Sequence, residues 1–159
     1  MPDDLIQIER IPAVTDEVRS LIHELDKELA VAYTPEQMHG LTVNSLFQLD
    51  LQFFIARIDG VALGCGAVAF FDDFAEVKRM YVRPAGRGTG VAQALLAHLE
   101  SVARAAGAPW LRLETGVRQP AAIRLYERFG FRSCAAFPPY TTMAPSAIKN
   151  SLFYEKVLS

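Results

Sequence analysis

A glycine-rich turn is the part of the sequence best suited to hold a phosphate group. It spans Met80 to Ala92, reads MYVRPAGRGTGVA, and joins a strand pattern to a long helical pattern. Glycines let successive backbone N–H groups point into one concavity, and the first turn of a helix adds unpaired N–H groups with partial positive charge. A diphosphate would fit there, although a plain strand-to-helix connection can look the same. A Walker loop is excluded because no Gly-Lys-Ser/Thr follows, and a dinucleotide fold is excluded because meander strands precede the turn.

A second stretch, Ala121 to Phe131, reads AAIRLYERFGF and follows about thirty residues later. The run Arg87 to Ala92 resembles the Arg/Gln-x-x-Gly-x-Gly/Ala signature of the GNAT superfamily of acetyltransferases. The second stretch is similar to that family's other signature, a helix ending in Leu-Tyr-Glu and then Gly-Phe. Both motifs stand in the family's order with a strand between them, and together they cover roughly residues 74–133. Two motifs in this arrangement are far more specific than either one alone.

The resemblance implies that the glycine-rich turn holds the pyrophosphate of acetyl-CoA. It also implies a sheet that opens between Met80–Val82 and Trp110–Thr115, with the pantetheine arm in the gap. Strands that part leave backbone groups unpaired, and an amide-rich arm could bond to them as an extra strand would. The cofactor-binding residues predicted on this basis are Met80, Val82, Arg87, Gly88, Thr89, Gly90, Val91 and Ala92. No metal is predicted.

Three side chains are candidates for proton transfer, and each has an ordinary structural alternative. By resemblance, Tyr126 would donate a proton to the departing thiolate; otherwise it is a core aromatic residue. Glu76 lies in a stretch similar to the strand that carries the general base in one branch of the family; otherwise it is a solvated strand carboxylate. Glu114 shares a strand face with Arg112, so a surface ion pair is favoured, and Glu114 remains the second candidate base.

One position departs from the family pattern. The family often has Asn seven residues before the tyrosine, where it caps the helix and touches the cofactor. Gln119 stands there in this chain, followed by Pro120. Because Gln is a poorer N-cap, a cofactor contact at this corner is left open.

Periodicity and turn residues predict the elements around these motifs. Helices are predicted from Thr15, from Thr34 towards Leu49 with a capping box and a proline at its first position, from Val91 to Gly107, and over Pro120–Phe129. Strands are predicted over Gln52–Ile58, Val61–Phe71, Ala75–Val82, Trp110–Thr115, Phe131–Phe137 and Leu152–Val157, with a tight hairpin at Asp59-Gly60. The expected fold is α+β, with a mixed, mostly antiparallel sheet of about six to seven strands flanked by four helices. One N-acetyltransferase domain over residues 1–159 is expected.

Composition excludes several classes of protein. Sixteen basic and eighteen acidic residues leave a formal charge of −2, so a basic field for nucleic acid or an anionic membrane is not expected. The N-terminus lacks the features of a signal peptide, and a cytoplasmic protein is expected. Cys65 and Cys134 form no CxxC, and His23, His39 and His98 have no zinc spacing, so these five are interpreted as ordinary residues.

The functional expectation is therefore acetyl transfer from acetyl-CoA to an acceptor amine, a small molecule rather than a protein. Direct attack in a ternary complex is expected, because Cys65 lies mid-strand with no nearby histidine in sequence to activate it. The alternative is a non-catalytic acyl-CoA-binding sensor or interaction module with the same cradle. A homodimer is a further possibility that the resemblance raises.

Overall fold

A computed structural model describes residues 5–158, and its centre is a seven-stranded sheet in the order β1-β2-β3-β4-β5-β7-β6. The strands are β1 (Ile6–Ile11), β2 (Leu51–Ile58), β3 (Val61–Phe70), β4 (Ala75–Val82), β5 (Trp110–Gly116), β6 (Arg132–Ser133) and β7 (Ser151–Val157). The pair β4–β5 is parallel, and the other paired strands run antiparallel. The predicted mixed, mostly antiparallel α+β fold is confirmed.

Five α-helices accompany this sheet, one more than predicted. They are α1 (Asp16–Ala32), α2 (Val43–Leu46), α3 (Val91–Ala105), α4 (Pro120–Arg128) and α5 (Pro145–Ile148). The helix α1 begins where predicted, because the Thr15 hydroxyl accepts a hydrogen bond from the Val18 N–H at 3.2 Å. Among residues 5–158, no helix is both long enough and apolar enough to cross a bilayer.

Alternating side chains of the sheet build two apolar layers. Phe53 and Ile55 of β2 pack under α1 and α2, whereas Phe54 and Ala56 pack under α3 and α4. A third cluster is aromatic and contains Phe74, Phe137, Tyr140 and Phe153. Burial on both sheet faces therefore ties the helices to the strands that carry the candidate site.

The predicted helix from Thr34 towards Leu49 is wrong. The capping interaction forms, with the Thr34 N–H donating to Gln37 Oε1 at 3.2 Å, but it starts only a single 3₁₀ turn over Pro35–Gln37. The chain then passes Gly40 without helical structure and resumes as the short helix α2. A Cβ at Gly40 would lie 1.8 Å from Arg79 Nη1, so the backbone there is pressed against a side chain of β4.

One strand was predicted too long, and another was missed. The predicted strand Phe131–Phe137 shrinks to β6, because the chain leaves the sheet before Pro138 and Pro139, which have no N–H to donate. The strand β1 was not predicted, although its Ile6 and Ile8 alternate with polar residues and pack against the core. The prediction of no signal peptide concerns an N-terminal segment whose residues 1–4 lie outside the described residues.

Candidate active site

A β-bulge in β4 opens the sheet at its centre. Cys65 pairs with Tyr81 and Ala67 with Lys78, so Arg79 and Met80 together oppose the single residue Gly66. The pairing of β4 with β5 stops at Ala75–Leu111 and Glu76–Arg112. Bulges bend a strand and interrupt its ladder. The predicted splay between β4 and β5 therefore begins just after Glu76.

The bulge contains a non-glycine residue in the left-handed region, Arg79, at φ +56°. Such a conformation costs about 1–2 kcal/mol and persists where surrounding contacts hold it. The Arg79 side chain is 6% exposed, and its guanidinium bonds Asp26 of α1 at 2.6 Å. Helix α1 is thus anchored to the distorted part of β4.

A cavity of about 720 Å³ lies beside the opened strands. Seven of the eight predicted cofactor-binding residues line it: Met80, Val82, Arg87, Gly88, Gly90, Val91 and Ala92. The eighth, Thr89, does not line this cavity, and its hydroxyl instead bonds the Gly86 carbonyl. The cavity runs from the glycine-rich turn along β4 to α4.

The glycine-rich turn has the backbone that an anion cradle requires. Gly88 and Gly90 have φ +78° and +92°, and Gly90 directly precedes α3. A Cβ added at Gly88 would meet nothing within 4 Å, so the space above this glycine is open. Arg87 reaches across to α1, where its Nη2 lies 3.0 Å from Glu28. The turn thus combines the N-terminus of a helix, open space and a nearby cation, which suits a pyrophosphate.

A second, smaller cavity of about 150 Å³ adjoins the first. Both candidate bases, Glu76 and Glu114, line it. Five residues line both cavities: Leu25, Met80, Gln119, Ala122 and Tyr126. The two cavities therefore share one wall. That wall includes Tyr126, the predicted acid, and Met80, one of the two bulge residues of β4.

Glu76 is a buried carboxylate with two different oxygens. Its side chain is 1% exposed, so the alternative of a solvated strand carboxylate is wrong. Oε2 accepts a hydrogen bond from the Tyr140 hydroxyl at 2.6 Å, whereas Oε1 makes no hydrogen bond within residues 5–158 and lies 3.3 Å from Lys78 Nζ. Burial raises the pKa of Glu76, and the charge of Lys78 and the Tyr140 hydrogen bond oppose that rise.

Glu114 is not the surface ion-pair partner of Arg112 that the sequence favoured. Arg112 bonds Glu155 instead, at 3.1 Å, and stacks over Phe74 at 4.9 Å. Glu114 turns into the smaller cavity, where its Oε2 accepts from the Ser151 hydroxyl at 2.7 Å. Burial raises the pKa of Glu114 to about 7, and the negative charge of Glu76 adds to the rise.

Tyr126 stands between the two cavities. It is 6% exposed and packs edge-on against Phe131, with ring centres 5.9 Å apart. Burial raises its pKa, which keeps the phenol protonated and able to donate. At the start of the same helix, Gln119 makes no side-chain capping bond, in line with its poor capping propensity.

Two further residues of the smaller cavity were missed by the sequence interpretation. His39, taken as an ordinary histidine, lines this cavity with a buried Nε2 that has no hydrogen-bond partner within residues 5–158. Burial lowers the pKa of His39, which favours the neutral ring. Tyr140 packs edge-on against His39 at 5.5 Å between ring centres and holds Glu76. No local pattern marks either residue, because both lie in irregular segments far from the motifs.

Cys65 has the environment of an inert thiol. It is fully buried, its Sγ lies 3.4 Å from the Arg79 carbonyl oxygen, and burial raises its pKa to about 12. A nucleophilic cysteine needs the thiolate form at working pH. The geometry therefore supports the prediction that Cys65 is not a nucleophile.

Comparison with known proteins identifies the class to which this fold belongs. The model of the acetyltransferase (GNAT) family matches residues 18–131. An IAA acetyltransferase from Azospirillum brasilense is 41% identical over 155 residues, which covers 96% of this chain and 98% of that protein. A crystal structure described as an acyl-CoA N-acyltransferase from Klebsiella pneumoniae is 34% identical, covers 98% of this chain and 99% of that one, and superposes with a TM-score of 0.79.

The fold also matches an acetyltransferase from Salmonella typhimurium solved with acetyl-CoA. That match has a TM-score of 0.69 at 18% identity and covers 97% of this chain and 94% of that one. The family model and the relatives at 41% and 34% identity make this open α+β fold that of an acyltransferase. The chain belongs to the GNAT family of acetyltransferases.

Proposed function

We propose that this chain transfers the acetyl group of acetyl-CoA directly to the amine of a small-molecule acceptor, with both substrates bound at once. The observation that carries the proposal is the shared wall: Met80 and Tyr126 line both cavities, and Glu76 lines the smaller one. Acetyl-CoA supplies an activated acetyl group as a thioester. A thioester placed at this wall lies between a coenzyme cavity and an acceptor cavity.

The larger cavity suits coenzyme A. The open space above Gly88 and the N-terminus of α3 would receive the pyrophosphate. From there the cavity follows Val82 and Met80, where β4 has no pairing with β5. The backbone groups of this stretch would bind the pantetheine amides.

The smaller cavity suits the acceptor, and its carboxylates suit proton removal. Glu76 lines this cavity, and its Oε1 makes no hydrogen bond among the described residues and lies 3.3 Å from Lys78 Nζ, so it would accept a proton from an ammonium group directly or through a water. The raised pKa of Glu76 brings this base closer to working pH, which makes proton transfer more effective. Glu114 is the second candidate for this role.

The chemical step combines acetyl transfer with three proton transfers. The acceptor ammonium loses one proton to Glu76, and its nitrogen bonds the acetyl carbon as the carbon–sulfur bond breaks. Backbone N–H groups at the bulge near Met80 stabilise the negative charge that develops on the acetyl oxygen. Tyr126 donates a proton to the leaving thiolate and regains one from the nitrogen or solvent. The products are an acetamide, the free thiol of coenzyme A and one released proton.

Thiol release from acetyl-CoA with a panel of amines tests this proposal. Glu76→Gln should lower kcat by about 10²–10⁴ near neutral pH, with a smaller deficit at high pH where more acceptor amine is already neutral. Tyr126→Phe keeps the buried ring and should cost less, because a thiol of pKa about 8.5 leaves readily. Tight coenzyme binding without turnover for any amine would instead support a non-catalytic acyl-CoA-binding module. A large kcat loss in Glu114→Gln, with an unchanged pH profile in Glu76→Gln, would move the base to Glu114.

A further inference from the structure

The two carboxylates of the smaller cavity are not equally compensated by positive charge. Glu76 has Lys78 at 3.3 Å, and the next cation on β4, Arg79, is bound to Asp26 at 2.6 Å. Within residues 5–158, no lysine or arginine nitrogen lies within salt-bridge distance of Glu114, whose hydrogen bond comes from the neutral Ser151. Once Glu114 is ionised, the cavity holds one negative charge in excess.

The strand register places the two carboxylates on one face of the sheet. Glu76 pairs with Arg112 across the parallel strands, and Glu114 follows Arg112 by two residues on β5. Because side chains alternate along a strand, Glu76 and Glu114 are diagonal neighbours where the strands begin to part. The Oε1 of Glu76 is buried at this point, and it has Lys78 Nζ at 3.3 Å but no hydrogen bond within residues 5–158. A cationic group in the gap would meet both carboxylates.

The rest of the smaller cavity restricts what can carry that cation. Its apolar lining includes Leu25, Leu29, Leu46, Val77 and Met80, beside polar residues such as Gln37 and Asn150. Its volume of about 150 Å³ matches an engineered apolar cavity that binds benzene. His39 adds no positive charge, because burial lowers its pKa.

Two irregular segments meet beside this cavity. Ser146 of α5 donates a hydrogen bond to Glu36 of the 3₁₀ turn at 2.5 Å, and the ring of Tyr140 packs against His39. These contacts join the segment after α1 to the segment before β7. A compact acceptor matches the volume of about 150 Å³ better than an extended polypeptide does.

We propose that the acceptor is a compact primary amine with an apolar body and no acidic group, and that Glu114 selects it as a cation. This inference rests on the proposed function of the same site. An ammonium group gains from the uncompensated carboxylate. An acceptor with its own carboxylate would place that charge near Glu114, and the two cations that line the cavity, Lys78 and Arg79, are already paired.

Three acceptors with the same isobutyl side chain test the inference: isoamylamine, leucinamide and leucine. Leucinamide and leucine have nearly equal size, and they differ in that leucine has a carboxylate where leucinamide has a neutral amide. Wild-type protein should use isoamylamine and leucinamide and should discriminate strongly against leucine in kcat/KM. Since the three amines also differ in their own pKa values, the decisive quantity is the leucinamide-to-leucine ratio compared between wild type and Glu114→Gln.

In Glu114→Gln that ratio should fall by about tenfold or more, because the repelling charge is removed. The KM for isoamylamine should rise while kcat changes much less. Glu155→Gln is the matched control: it converts a carboxylate of β7 that bonds Arg112 outside the cavity, and it should keep the wild-type ratio.

The outcomes separate the two proposals. An unchanged ratio in Glu114→Gln, or wild-type turnover of leucine equal to that of leucinamide, overturns this inference and leaves the proposed function intact. Thiol release with other amines but with none of these three also overturns the inference alone. No thiol release with any amine, while acetyl-CoA still binds, overturns both.

Discussion

The hydroxyl of Tyr140 donates a 2.6 Å hydrogen bond to Oε2 of Glu76, across 64 positions of sequence. The Tyr140 ring is held edge-on by Phe137, with ring centres 5.3 Å apart, and packs against Phe153 at the same distance. A rigid aromatic residue therefore fixes one oxygen of the carboxylate. The other oxygen lies 3.3 Å from Lys78 Nζ, and Glu76 lines the smaller cavity, which makes Tyr140 a positioning residue for the proposed base.

Tyr140→Phe should shift the pH dependence of acetyl transfer. The hydrogen bond stabilises the ionised form of Glu76, so its loss should raise the pKa of this carboxyl further. A base must be ionised to act, and the acidic limb of the kcat/KM profile should therefore move to higher pH. The measurement is thiol release across the pH range at fixed ionic strength.

Tyr154→Phe is the control for that shift. Its hydroxyl bonds Glu127 at 3.2 Å, and it lines neither described cavity. The control should keep the wild-type acidic limb. If Tyr140→Phe loses activity without any movement of that limb, its role is structural rather than one of positioning the base.

Glu114→Gln should make the folded protein more stable at alkaline pH. A carboxyl whose folded pKa exceeds its unfolded value binds more protons when folded, so stability falls as pH rises through that window. For Glu114 the window runs from 4.5 to about 7. At about 1.4 kcal/mol per pH unit, the variant should gain up to about 3 kcal/mol over wild type between the two ends.

Denaturant unfolding of both proteins at several pH values measures this gain. Glu155→Gln, which breaks a partly exposed ion pair, should show no comparable trend. A difference in unfolding free energy that stays constant from about pH 4.5 to 8 would contradict the raised pKa of Glu114.

Gly88→Ala should weaken acetyl-CoA binding by about tenfold or more, because a methyl group would enter the space proposed for the pyrophosphate. Gly60→Ala is a closely matched control. Its φ of +77° is nearly that of Gly88, its Cβ would also meet nothing within 4 Å, and it lies in the β2–β3 hairpin away from both cavities. Similar backbone strain in both variants, about 1–2 kcal/mol, should lower their stability alike. Calorimetry that shows equal affinity for the two would place the cradle elsewhere.

Replacement of Cys65 and Cys134 by alanine should leave turnover nearly intact. The pKa of each thiol is raised by burial, to about 12 and about 11, so neither forms a thiolate near neutral pH. Initial rates with both substrates varied should give intersecting double-reciprocal plots. Parallel lines, or an acetylated cysteine in the mass spectrum, would show a covalent route instead.

Local sequence determined the elements that position the coenzyme cavity. The spacing of glycines after β4 predicted the open turn at Gly88 and the start of α3, because positive φ angles and an exposed helix N-terminus are local properties. The capping Thr15 and the run of apolar residues after it predicted α1. Tyr126 could be singled out because its motif is continuous along α4.

The acceptor side was decided by tertiary structure. Whether Glu114 bonds Arg112 depends on β7, which supplies both Glu155 for the arginine and Ser151 for the glutamate. The contact of Tyr140 with Glu76 joins segments that are remote in sequence. Helix propensity after Thr34 likewise gave way to the close approach of Arg79 to Gly40. Motifs specify a backbone shape over a few residues, whereas the charge and size of a cavity depend on side chains that only folding brings together.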